Sequence, residues 1–190
     1  MENGREYFRR YEKARAAAAE VPGLIAQVDE ELTFLQQLET DLDLAQDQPG
    51  IAAVETALAE AGYVPKPPKS KPPPTAPLQV ASVDGFTIWV GRNSWQNEEV
   101  TFKMGSARDL WLHADGVPGA HVIVRTEGRE VPESTLVQAA QLAASHSAAR
   151  HNGSARVAYT LRQNVKRARS GRPGQVYLTS RKTLVVRTDT

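Results

Sequence analysis

The stretch Arg162-Gln163-Asn164-Val165-Lys166-Arg167-Ala168-Arg169-Ser170-Gly171-Arg172-Pro173-Gly174 holds five cations and no acid among small and turn-forming residues. Guanidinium groups make forked bonds to phosphate, and Gly and Ser let backbone amides approach as well, so this composition points to a polyanion dock. An exposed solubilising loop, or a contact with an acidic protein surface, would have the same composition. His113 and His121 flank the tight turn Asp115-Gly116-Val117-Pro118-Gly119, with Asp109 near by. Two imidazoles and a carboxylate are metal ligands if strand register brings them together; contact with RNA or substrate, or a structural role, are the other readings. His146 and His151 lie on or at the end of an alanine-rich helix and lack the partners of a nucleophilic triad. No Gly-x-Ser-x-Gly, P-loop or dinucleotide fingerprint occurs. The expectation is a non-catalytic chain without cofactor. Seven aromatics, Phe86, Trp89, Trp95, Phe102, Trp111, Tyr159 and Tyr177, include candidates for base stacking. Trp95 and Trp111, each beside polar residues, are the first to test.

The 190 residues are 41% hydrophobic and 24% charged, enough for a core of ordinary size. With no cysteine, disulfides, thiolate metal sites and cysteine nucleophiles are excluded, and a reducing, cytoplasmic setting fits. No secretory h-region and no run of eighteen apolar residues is present. The net charge of +1 hides a division. Residues 1–64 carry 5 Lys/Arg against 13 Asp/Glu, or −8, and residues 65–190 carry 18 against 9, or +9. A basic half attracts a polyanion by steering and counterion release.

Three segments position these residues. In 1–64, Tyr7, Tyr11, Ala14, Ala18, Val21, Ile25, Val28, Leu32, Leu35, Glu39 and Leu42 recur at spacings of four and three, a coiled-coil seam broadened by Phe34 and Leu38. Pro22-Gly23 predicts a kink or restart. Asp47 predicts an N-cap for a shorter returning helix that closes at Gly62. The outgoing arm, about 55–60 Å long against about 18 Å for the returning one, leaves much of the seam without a partner. A missing upstream segment or dimerisation through the seam is expected, with truncation favoured. Residues 65–77 contain seven prolines and three lysines and read as a polyproline linker. From Leu78 the period changes to two. Asp84-Gly85 signals a type I′ hairpin, and Asn93 with Gln96 a capping box for a helix near 94–103. A longer helix spans about 133–150, with strands at 109–113, 120–125, 156–161, 175–179 and 183–187. The 78–190 domain is expected to be α+β, with a largely antiparallel sheet and a long and a short helix.

In chain order, Val90-Gly91-Arg92-Asn93 with Gln96-Asn97, Thr101-Phe102-Lys103, Asp109-Leu110-Trp111-Leu112-His113, Pro118-Gly119-Ala120-His121-Val122, Ala139-Ala140-Gln141-Leu142-Ala143-Ala144 and Lys166-Arg167 through Pro173-Gly174-Gln175-Val176 resemble the NFACT-R domain of the RqcH/NEMF family, formerly described as fibronectin-binding protein A-like. The residues from Asn3 to Arg15 are similar to the family's coiled-coil entry. The resemblance implies a factor of ribosome-associated quality control that binds the obstructed large ribosomal subunit and tRNA. In bacterial members alanyl-tRNA supplies a C-terminal alanine tail, and the ribosome forms the bonds. The family's N-terminal domain and helix-hairpin-helix region have no counterpart here, which implies a fragment that does not complete tailing alone. Acidic insertions and a C-terminal domain of eukaryotic relatives are also missing, implying a bacterial type. Ala168 stands where a proline is usual, and Pro22-Gly23 falls where relatives keep a helix. Candidate RNA contacts are Arg162, Lys166, Arg167, Arg169 and Arg172, with Arg92 and Lys103. Asn93, Asn97, Asp109, Trp111, His113, Pro118, Gly119 and His121 form the family-signature cluster. The rival classes are a protein-interaction or adhesion module and a metal-dependent hydrolase.

Overall fold

The computed structural model describes residues 2–65, 76–168 and 171–188. Most of the proline-rich segment, and Arg169, lie outside the described residues. Two compact units divide the chain, Met1–Leu35 and Gln36–Thr190.

Helix α1 (Glu2–Leu44) forms from a run rich in Ala, Glu, Leu and Gln, the best helix formers. Of the kink or restart expected at Pro22, the restart does not occur: α1 runs through it, the interior cost of proline, about 3 kcal/mol, being carried by strongly helical flanks. In the first unit most of the seam is bare; Tyr7, Phe8, Tyr11, Ile25 and Val28 are all more than half exposed. Phe34 and Leu38, expected to broaden the stripe, are buried together with Thr40 and Asp41, whereas the seam residue Leu42 is exposed. Asp47 caps α2 (Gln48–Glu60) by accepting from the Gly50 amide, as its position predicts. The helix closes with Gly62 N–H on Ala59 C=O and Tyr63 N–H on Leu58 C=O. Among the described residues no helix is long and apolar enough to cross a membrane.

The second unit contains a six-stranded sheet in the order β1-β2-β4-β3-β5-β8, antiparallel at every step. Its strands are β1 (Leu78–Ala81), β2 (Thr87–Gly91), β3 (Leu110–Ala114), β4 (His121–Val124), β5 (Ser154–Leu161) and β8 (Lys182–Arg187). A separate hairpin pairs β6 (Val165–Arg167) with β7 (Val176–Leu178). The β1–β2 turn is not type I′: Gly85 N–H bonds Ser82 C=O and only Gly85 is left-handed (φ 76°), so Val83-Asp84 form an ordinary turn ahead of the glycine. Asp84 instead accepts from Ser134 and Thr135 at the start of α4 (Glu133–Ser145), and these bonds hold its carboxyl below the usual range.

Alternation separates the sheet's faces. Ile88, Val90, Leu112, Val122, Val124 and Val157 point to α4, whose Ala139, Ala140, Ala143 and Ala144 are fully buried, so small side chains let the helix lie close. The helix stops at Ser145, earlier than predicted; Ser147 forms a bridge with Gly119 instead. The opposite face carries Trp89, Trp111 and Ile123, covered by the β6–β7 hairpin and by α3 (Ser94–Glu99) with the π-helical turn Val100–Met104 that continues it. Asn93 caps α3 through the Gln96 amide, while the Gln96 side chain reaches Arg92 N–H.

Candidate nucleic-acid interface

The basic stretch is a docked hairpin. Val165, Val176 and Leu178 pack toward Trp111 and Ile123, while Lys166, paired across the ladder with Tyr177, is exposed. Arg162 Nε donates to Thr101 C=O at 2.7 Å, and its guanidinium lies 5.0 Å from the Phe102 ring centre. Arg167 stacks on the same ring at 4.0 Å and pairs with Glu98 at 2.6 Å, with 59% of its side chain exposed. Glu98 also accepts from Gly174 N–H. A Cβ on Gly174 would stand 2.8 Å from Ser94 C=O, so glycine lets the turn close on α3. Each arginine is thus oriented by contacts that use part of its five-donor fork. Arg172 is half-buried, and Lys103 is exposed on the turn that carries Phe102. Arg92 stands elsewhere, lining a polar cavity of about 20 Å³ with Asp41 and Asp47, its Nε buried without a protein partner.

The signature cluster is a buried, satisfied network. Asn97 donates to Gly119 C=O (3.0 Å) and accepts from His121 N–H (2.8 Å). Gln37 of α1 brackets Gly119 from the other side, accepting from its N–H and donating to its C=O. Gln37 also donates to Asp41, whose other oxygen accepts from the Ser94 amide and hydroxyl. Burial raises the Asp41 carboxyl to about 6, against the pull of these donors. Gly119 leaves no room for a side chain, since a Cβ would meet the Ser147 Cβ at 2.6 Å, and half-buried Pro118 accepts from Ala148 N–H beside it.

Trp111, 1% exposed, donates its indole N–H to Thr101 Oγ1, which lies 2.8 Å from His121 Nδ1. The indole can only donate, so Thr101 Oγ1 accepts from it and keeps a second lone pair and its own proton for the contact with His121 Nδ1. Burial depresses the His113 pKa to about 4 and the His121 pKa well below its usual value, the latter helped by His113; both rings are neutral at pH 7. Register puts their rings 5.2 Å apart, edge to face. Asp109 does not join them: its carboxylate ties Ser106 N–H and Thr126 N–H at the far end of β3, and four extended residues span about 13 Å. Among the described residues no His/Cys/Asp/Glu group of three is arranged to hold a metal.

Trp111 is therefore core and cannot stack on a base, whereas Trp95 (43%) and Tyr177 (54%) are exposed. Gln37, Asp41 and Glu98 were not singled out from sequence, and only the i,i+4 spacing of Gln37 and Asp41 offered a signal.

An α+β module with exposed cations over a buried hydrogen-bonded network has the make-up expected of a nucleic-acid-binding domain. The family model described as NFACT protein RNA binding domain matches residues 77–180, and the one described as NFACT N-terminal and middle domains matches residues 1–76. The chain belongs to the NFACT family. It is 35% identical over 193 residues to the Rqc2 homolog RqcH of Bacillus subtilis (strain 168), covering 99% of this chain and 33% of that protein. It is 33% identical over 190 residues to the Rqc2 homolog RqcH of Streptococcus pneumoniae serotype 2 (strain D39 / NCTC 7466), covering 99% and 34%. The solved C-terminal part of the fibronectin/fibrinogen-binding protein from Streptococcus suis is similar with a TM-score of 0.87 at 32% identity, over 97% of this chain and 74% of that one. The chain spans about a third of the length of the curated relatives it matches.

Proposed function

We propose that this chain is the RNA-holding part of a ribosome-associated quality-control factor, binding the large ribosomal subunit and tRNA. In that setting it supports C-terminal alanine tailing from alanyl-tRNA, with the ribosome making the bonds. The observation that carries the reading is electrostatic: between Glu133 and Asp189 the chain has ten Lys/Arg and no Asp or Glu. Folding brings acids from elsewhere to only some of them, such as Glu98 to Arg167. The exposed seam of α1 supports pairing with a second helix, from a longer chain or another copy. Co-sedimentation with purified large subunits tests the reading: the chain is expected in the ribosomal pellet at about 0.1 M salt, leaving it on neutralisation of Lys166 and Arg167. The likeness to a fibronectin/fibrinogen-binding protein makes fibronectin the control ligand. Retention by fibronectin after nuclease treatment, with none by ribosomes, would overturn the proposal.

A further inference from the structure

The cations outside the hairpin have a pattern of their own. Ser154, Arg156, Ala158 and Thr160 of β5 share one face with Thr183, Val185 and Arg187 of the edge strand β8, as the pairs Ala158↔Thr183, Arg156↔Val185 and Ser154↔Arg187 show. This is the sheet face opposite α4. Thr183 and Arg187 are exposed and Val185 is 69% exposed.

Asp115, only 7% exposed, takes Arg156 Nε at 2.8 Å on one oxygen and Arg181 Nη1 at 3.1 Å on the other. Both guanidiniums remain more than half exposed. One buried carboxylate thus fixes two forks, leaves the pair with a net charge of +1, and lowers the ordering cost of meeting a ligand. Arg187 adds an exposed cation on this face with no acidic partner among the described residues, whereas Lys182, opposite Tyr159, alternates to the α4 side. From Arg181 to Arg187 an extended strand spans about 20 Å.

We infer that this open face of β5 and β8 is a second phosphate-binding surface for RNA, with Arg156, Arg181 and Arg187 as its contacts. The inference rests on the RNA-binding reading above and extends it to residues outside the basic hairpin. Small, exposed side chains at Ser154 and Thr183 let a backbone approach the sheet, and the forks suit phosphate. A protein partner would be expected to find aromatic or aliphatic anchors, and among the described residues of this face Val185 is the one exposed apolar side chain; polar, strongly positive surfaces are typical of nucleic-acid interfaces.

The test is binding of fluorescein-labelled bulk tRNA to the full chain, titrated between 50 and 250 mM KCl, for the parent, R156Q/R187Q, V185E and K166Q/R167Q. Arg181 keeps Asp115 paired in the first double variant. Each lost phosphate contact lowers the salt slope by about 0.7–0.9, so R156Q/R187Q is expected to lower it by about 1.5 and to weaken binding about tenfold at 100 mM. V185E keeps every ion pair and puts a carboxylate amid the cations; it is expected to weaken binding in the same direction, and it carries the test if the double variant fails to fold. Parent-like affinity and slope in R156Q/R187Q and V185E, alongside weakened K166Q/R167Q, would overturn this inference and leave the RNA reading intact. Weaker binding to poly-glutamate but unchanged binding to tRNA would also overturn it, in favour of an acidic protein partner. A parent chain that does not bind tRNA would remove the reading on which it rests.

Discussion

Around Gly119 the molecule buries polar groups and pairs them with one another, whereas along residues 134–188 it exposes cations and gives acids to only some. Asn97, Gln37, Thr101 and His121 use their donors and acceptors internally, and burial keeps both histidines of that network uncharged. Lys166, Lys182 and Arg187 stand in solvent. Buried groups that are already satisfied have little left for a ligand, while exposed forks held on one side have much. The difference teaches that residues carrying a family resemblance can be structural: here Asn97, Trp111 and His121 hold the shape on which the exposed cations sit.

The sharpest way to break this comparison is Asn97→Leu. It strips partners from Gly119 C=O and His121 N–H in the interior and should cost about 2–4 kcal/mol in urea unfolding, with tRNA affinity of the folded fraction unchanged. A loss of affinity without a loss of stability would make Asn97 a contact.

Proton linkage gives the next largest effect. Because the His113 pKa falls from 6.5 to about 4 on folding, its contribution is fully present above about pH 6.5 and is lost as pH falls toward 4, a window worth about 1–3 kcal/mol. Asp41 runs the other way: raised from 3.8 to about 6, it favours the fold most below 3.8 and loses that advantage as pH rises through 6. Stability against pH for H113Q and D41N should therefore depart from the parent with opposite slopes between pH 4 and 6. Parallel curves would show that neither group is buried as described.

On the exposed side, K166Q/R167Q should weaken tRNA binding about tenfold, or about 1.4 kcal/mol, without lowering the unfolding free energy by more than about 0.5 kcal/mol. The smallest effect should come from the exposed aromatics. Y177A and W95A are each expected to cost about 1 kcal/mol in binding single-stranded RNA, the low end for a stacked base, read by fluorescence titration.

Much of this architecture was legible in the sequence, because the change from helical spacing to alternation after Leu78 reflects which faces are buried. The alanines at 139, 140, 143 and 144 foretold a helix lying close on a sheet, and they lie there fully buried. The site was less legible. Trp111 looked like a stacking platform because polar residues neighbour it in sequence, yet those residues include the turn organiser Asp109, and its ring faces a core filled by Val100, Ile123 and Val165. Gln37 lies outside the apolar seam and drew no attention, because its partner Gly119 is 82 positions away and no local period records such a contact. Arg162 and Arg167 were counted as equal cations, whereas Phe102, Thr101 and Glu98 hold them in particular orientations. Charge is local information; pairing is not.

The central claim is that RNA is held by exposed cations of residues 134–188 on a structurally silent buried network. It is tested most directly by the dependence of tRNA affinity on KCl for R156Q/K166Q/R167Q/R187Q beside the parent. The account predicts a slope lower by about 3, from four lost phosphate contacts, with unfolding unchanged. An undiminished slope in a folded quadruple variant would contradict it.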